Sequence, residues 1–212
     1  MPNWCNNSIT LRHKDSAMVQ RAQEALAAGR LLQEFIPCPQ DLLDTVAGYM
    51  GEDKREAHEA QQARNIDLYG YKDWYDWQVA NWGTKWDVGG DDGLTQRLDP
   101  NTLQASFDSA WAPPVNAYER LCALGFEIEA FYNEPGMCFC GKWTGNEEDF
   151  YDDYYEYSGE SSETVREVIG EELDDFWCIS EDMAQWEEEN REDDQDLVDE
   201  LERIRNLGPH TD

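Results

Sequence analysis

The stretch Leu103-Gln104-Ala105-Ser106-Phe107-Asp108-Ser109-Ala110-Trp111-Ala112-Pro113-Pro114, with the residues that follow it to Tyr132, decides the fold. Leu103, Ala105 and Phe107 alternate with polar residues, the period-two pattern of a strand with one buried face. Pro113-Pro114 then opens a helix, where a fixed φ and a missing N–H cost nothing. Tyr118, Leu121 and Cys122 share one face of it, and Gly125 stops it. Phe126 to Tyr132 is a second strand. Beyond it Pro135-Gly136 marks a turn, Met137 to Trp143 another strand, and Phe150 to Tyr157 one more.

The N-terminal part repeats the strand–helix theme. Trp4 to His13 contains the β-prone Ser8-Ile9-Thr10-Leu11. Asp15 or Ser16 can cap a helix carrying Met18, Ala22, Ala25 and Leu26 on one side, with Gly29 as its stop. Phe35-Ile36-Pro37-Cys38-Pro39 must be extended, because each proline disfavours helix for the residue before it. Residues 52–66 read as a polar surface helix, and Lys72 to Trp82 is rich in aromatics. The order is strand, helix, a helical insertion near 40–82, then strand, helix, strand, strand. It predicts an α+β domain over residues 1–157: a mostly antiparallel sheet with helices on one face.

Charge is the second strong signal. The chain of 212 residues has 47 Asp and Glu against 16 Lys and Arg, a formal net charge of -31. Such a surface repels nucleic acid and anionic membranes and attracts basic proteins. Residues 146–212 alone hold 26 acids and four arginines. Apolar residues run through this region at helical spacing: Val165, Val168, Ile169, Leu173 and Phe176, then Ile179, Met183 and Trp186, then Leu197, Leu201 and Ile204. Residues 158–212 are therefore expected to form an acidic helical extension, with Ser162 capping its first helix and Asp199–Arg203 pairing across one turn. A helix rises about 1.5 Å per residue, and duplex DNA carries about one charge per 1.7 Å. The runs Glu187-Glu188-Glu189 and Glu192-Asp193-Asp194 approach that linear density, which permits mimicry of a nucleic acid.

No apolar run reaches the roughly 18–20 residues of a membrane span, and Met1-Pro2-Asn3-Trp4 leads into no basic segment followed by an apolar stretch, so no signal peptide is expected. Six irregularly spaced cysteines read as reduced thiols, so a cytoplasmic setting is expected. Cys138 and Cys140 fall on a predicted strand, where alternate residues share a face, but a structural zinc site wants four ligands. Asp87, Asp91 and Asp92 with nearby glycines lack the order of a calcium loop. His13, His58 and His210 show no ligand spacing, and no nucleophile has a recognisable local signature. No metal and no cofactor is expected.

Four segments carry a resemblance: Asn3-Trp4-Cys5-Asn6-Asn7; Phe35-Ile36-Pro37; Trp74-Tyr75-Asp76-Trp77 through Asn81-Trp82-Gly83-Thr84-Lys85-Trp86-Asp87; and Phe107 to Pro114. Together with Glu134-Pro135-Gly136 and Phe139-Cys140-Gly141 they resemble the YubB-type family of phages, prophages and plasmids, which has a ferredoxin-like domain. The resemblance implies the βαββαβ topology and an accessory role such as countering host defence. It covers roughly residues 1–157 and assigns no residue a role.

Two surfaces compete as the functional one. The first is the acidic extension, with Glu187, Glu188, Glu189, Glu192, Asp193 and Asp194 as partner-binding residues and Trp186, with Trp177, either as apolar anchors or buried within the helical subdomain. It would bind a basic host protein, such as a nucleic-acid-binding defence component, and occlude it without catalysis. The alternative is a small-ligand-binding or enzymatic pocket lined by Trp82, Lys85, Trp86, Asp87, Asp108 and Trp111, or else a plain aromatic core with Lys85 paired to an aspartate. The sequence leaves the oligomeric state open.

Overall fold

The computed structural model describes residues 3–90 and 93–191. The chain divides into two compact units, Met1–Tyr154 and Tyr155–Asp212.

The first unit is built on β1 (Trp4–His13), β2 (Leu94–Asp99), β3 (Thr102–Ala110), β4 (Phe126–Glu134), β5 (Phe139–Gly145) and β6 (Phe150–Glu156), in the spatial order β2-β3-β1-β4-β5-β6. The pairings β2–β3, β3–β1, β1–β4 and β4–β5 are antiparallel. Helix α1 (Ser16–Ala27) follows β1, and α6 (Val115–Cys122) joins β3 to β4. The order β1-α1-β2-β3-α6-β4, with the four strands arranged 2-3-1-4, is the ferredoxin-like topology; β5 and β6 extend it beyond β4. Between α1 and β2 lie α2 (Leu31–Phe35), α3 (Gln40–Leu43), α4 (Arg55–Tyr69) and α5 (Trp74–Trp82).

Alternation fixes which face of the sheet is covered. Cys5, Ile9 and Leu11 of β1, Leu103, Ala105 and Phe107 of β3, and Phe126, Ile128, Ala130 and Tyr132 of β4 are all buried. They join Val19, Ala22, Ala25 and Leu26 of α1 and Ala117, Tyr118, Leu121 and Cys122 of α6 in one core. Asp15 caps α1 by accepting the Ala17 N–H at 2.9 Å. Ser8, Thr10, Gln104, Ser106 and Glu129 occupy the alternate positions, on the opposite face. Asn7 is a polar residue on the covered face. It donates to the Cys5 carbonyl and to Ser109 Oγ, both at 2.8 Å, and accepts from the Tyr118 hydroxyl at 3.3 Å. Its amide thus satisfies itself across β1, β3 and α6, as a buried amide must.

Three local readings change. Strand β2 is absent from the sequence reading: it is an edge strand of mostly exposed residues, and its leucines, 94 and 98, lie in the open. Cys138 sits in the turn before β5 with φ 56, not on the strand, so it shares no face with Cys140. Phe35 closes α2, and the extended segment begins at Ile36.

The second unit contains α7 (Val165–Ile169), α8 (Glu171–Trp177) and α9, residues 179–191. Gly170 (φ 83, ψ 160) parts α7 from α8, and Cys178, left-handed at φ 55, parts α8 from α9. Val165, Ile169, Leu173 and Ile179 are buried. Ser162 does not cap α7; its N–H and hydroxyl are given to Glu187 at 2.9 and 2.8 Å. Glu187, not Trp186, therefore continues the inward line of Ile179 and Met183, while Trp186 is 66% exposed. Leu197, Leu201, Ile204, the Asp199–Arg203 pair, Glu192, Asp193 and Asp194 lie outside the described residues, as do Asp91 and Asp92.

Candidate functional site

The Asn81-to-Asp87 block is a structural joint with two exceptions. Trp82 is core: its Nε1–H donates to the Ile36 carbonyl at 2.9 Å, and its ring meets Trp77 edge-on at 5.9 Å. Gly83 ends α5 in the left-handed region that favours glycine. Thr84 donates its hydroxyl to the Ala110 carbonyl at 3.0 Å. Asp87 caps α2 with both oxygens, taking the Leu32 N–H at 2.7 Å and the Gln33 N–H at 2.8 Å. Burial pushes its carboxyl up despite these bonds. Asp108 lies on the exposed face of the sheet and accepts from Asn6 at 2.8 Å. Trp82, Asp87 and Asp108 thus leave the six-residue pocket: the first is packed, the second is spent on a helix terminus, and the third lies with Asn6.

Lys85, Trp86 and Trp111 remain, and they are joined by two rings that the six-residue pocket did not include. The Lys85 ammonium lies 4.4 Å from the Trp86 ring centre, 5.2 Å from Trp111 and 5.9 Å from Tyr75. Trp4 adds a ring 5.8 Å from Trp86. Trp4, Trp86 and Trp111 are each partly exposed, and Trp111 is held at φ 71, a region side chains seldom adopt. Among the described residues no carboxylate pairs with Lys85, so an aspartate partner is not what holds it. Trp4 lies far away in sequence and had no local signal; Tyr75 belongs to the aromatic stretch 72–82 but was not placed at the pocket.

In the second unit the acids outnumber their answering charges. Residues 155–191 hold 13 Asp and Glu and two arginines. Arg166 is engaged by Asp174 at 2.8 Å and Asp175 at 2.7 Å. Asp174, only 2% exposed, also takes the Ser180 N–H at 2.8 Å and its hydroxyl at 2.7 Å. Burial raises that carboxyl, but the Ser180 bonds and then the Arg166 guanidinium outweigh it and hold it below its ordinary value. The Ser162 N–H, then its hydroxyl, lower Glu187 in the same sense. Glu188, Glu189 and Trp186 are exposed, whereas Glu187 is half-buried and turned to Ser162.

A depressed folded-state carboxyl stabilises the fold above its unfolded value, near pH 4, and that contribution disappears as pH falls through the folded value. Asp174→Asn should therefore cost the second unit about 1–3 kcal/mol at pH 7, the scale of hydrogen bonds to a charged group. The difference from the unaltered chain should shrink steadily as the pH drops from 5 to 3. Thermal unfolding followed by circular dichroism across that range checks it; a pH-independent gap would contradict the assignment.

Among the described residues no three His, Cys, Asp or Glu side chains gather as a metal site, and no described helix is long and apolar enough to cross a membrane. What the geometry defines is a ferredoxin-like α+β protein joined to a small acidic helical unit. A family model described as "Ferredoxin-like domain in Api92-like protein" matches residues 81–202, more than half of the chain, and the chain belongs to that family. The match runs through the acidic helices, so the family does not stop near residue 157. The crystal structure of a protein Api92 from Yersinia pseudotuberculosis is similar at 14% identity, covering 75% of this chain and 99% of that one, with a TM-score of 0.42. No curated protein matches.

Proposed function

We propose that the protein is a non-enzymatic accessory of a mobile element that docks on a basic host protein through the exposed face of its acidic unit and occludes the surface that protein offers to nucleic acid. One observation carries this reading. Trp186 stands exposed on α9 between Asp182 and Glu189, one turn away on either side, while Ile179, Met183 and Glu187 face inward. An exposed indole among unanswered carboxylates has the composition of an interface hot spot: an aromatic anchor ringed by charge. The carboxylates speed encounter with a basic surface, and the indole holds the complex once formed. Glu187 is removed from the contact set because its oxygens serve Ser162. The resemblance to a phage and plasmid family supports a component of host defence as the partner and a cytoplasmic setting.

The test begins with the full chain as bait in host lysate at two salt concentrations. The basic protein retained is purified, and its nucleic-acid binding is measured with and without the chain. Occlusion predicts competition with nucleic acid and an affinity that falls steeply with salt. It also predicts at least about a tenfold loss for Trp186→Ala, and a comparable loss for the combined Glu181→Gln, Asp182→Asn, Glu188→Gln and Glu189→Gln variant. Retention that ignores salt and both variants would dismiss the proposal, as would a partner that still binds its nucleic acid in the complex.

A further inference from the structure

A cleft of about 550 Å³ opens in the first unit between residues 47–48, Gln62 of α4, and Lys72, Asp73, Trp74 and Tyr75 at the start of α5, with Lys85 on its wall. Its size lies in the range of small-molecule sites. Three features of its lining are hard to explain by folding alone. Lys85 is half-buried and, among the described residues, has aromatic rings but no carboxylate for company, in a chain carrying 47 acids. Asp73 is 1% exposed, and only one of its oxygens is used: Oδ1 takes the Asp76 N–H at 3.1 Å and caps α5, while Oδ2 has no hydrogen-bond partner. A buried carboxylate oxygen left so is costly until a donor reaches it. Trp74 and Tyr75 are half-buried, set edge to face at 5.9 Å, and both line the cleft. Lys72 adds a second ammonium, already shared with Asp76 at 3.0 Å.

We propose that this cleft binds a small anion that carries a flat ring and an N–H or O–H donor. The anionic group meets the Lys85 ammonium, with Lys72 as the weaker second cation. The ring lies against Trp74 and Tyr75, where stacking tolerates different ring types. The donor satisfies Asp73 Oδ2. The local charge argues against the opposite sign of ligand: a cation would have to displace or face the Lys85 ammonium. Nucleoside monophosphates and aromatic carboxylates share this chemistry. This proposal does not rest on the role proposed for the acidic unit.

The experiment is calorimetric titration of the full chain with three probes: adenosine monophosphate, indole-3-acetate and inorganic phosphate. At least one ring-bearing anion should bind with a dissociation constant of about 1 mM or tighter, and phosphate alone at least about tenfold more weakly. Binding of the nucleotide only, or of the indole acid only, identifies which source of the shared chemistry the cleft accepts. Lys85→Gln should weaken the ring-bearing anion at least about tenfold, the loss of one charge-assisted contact, with an unchanged circular dichroism spectrum. Asp73→Asn keeps an N-cap acceptor for α5 and should weaken the ring-bearing probe while leaving phosphate unaffected. The proposal is overturned if neither ring-bearing anion binds, if phosphate binds as well as they do, or if Lys85→Gln binds like the unaltered chain.

Discussion

Replacing Trp82 with alanine should lower the stability of the first unit by about 3–5 kcal/mol, the usual cost of deleting a buried indole. Trp82 is 1% exposed and among the largest fully buried side chains. Its removal empties the space beside Trp77 and takes away the donor that satisfies the Ile36 carbonyl. That carbonyl lies in the segment before Pro37, where no helix or strand supplies another partner. With a urea m-value of about 2 kcal/mol/M, the midpoint should move down by about 2 M. Lys85→Gln, three residues on, should leave the midpoint nearly unmoved, because surface substitutions of this kind stay within about 0.5 kcal/mol. A small shift for Trp82→Ala would mean that the indole lines a pocket after all.

Gly89→Ala should be about as damaging. A Cβ there would overlap the Leu26 carbonyl oxygen and approach its carbon to 2.9 Å. Both are backbone atoms in the last turn of α1, which cannot swing aside. The glycine also sits at φ 99, outside the range that side chains favour. Strain and overlap together should cost at least about 3 kcal/mol. Gly48→Ala is the comparison. Gly48 has a positive φ of 133, but nothing lies within 4 Å of its added Cβ. It should cost only the backbone strain, about 1–2 kcal/mol. Equal effects in a urea titration of the two variants would show that the approach of Gly89 to α1 is not close.

These two residues also show how far the sequence could be read. The strands β1, β3 and β4 and the helices α1 and α6 were legible because each buries one face, so the period of its apolar residues is visible. Strand β2 was not, because an edge strand has little to bury: Leu94 and Leu98 are open and its other positions are polar. The site was legible in part. A tryptophan, a lysine and an aspartate close together look alike whether they form a pocket or a joint. Only the direction of each side chain separates Trp82, turned into the core, from Trp86, turned out. Asp87 looked available until α2 folded back and presented its N-terminus. In the acidic region separate helices were legible, but the phase within α9 was not: after Ile179 and Met183 both Trp186 and Glu187 fit a helical spacing, and Glu187 is the one turned to Ser162.

The breaks between the acidic helices bear on the shape of the partner proposed above. A straight helix would set its carboxylates along a single rod, and a partner with one linear groove, such as a duplex-binding cleft, would read it end to end. Gly170 and Cys178 instead divide the described helical acids among three facets: Glu167 on α7, four acids on α8 and five on α9. The five residues of α7 and the seven of α8 span only about 8 and 10 Å. A rigid channel sized for continuous duplex would meet only one facet at a time. A surface with several small basic knobs, or a loop able to wrap around the unit, would meet all three at once.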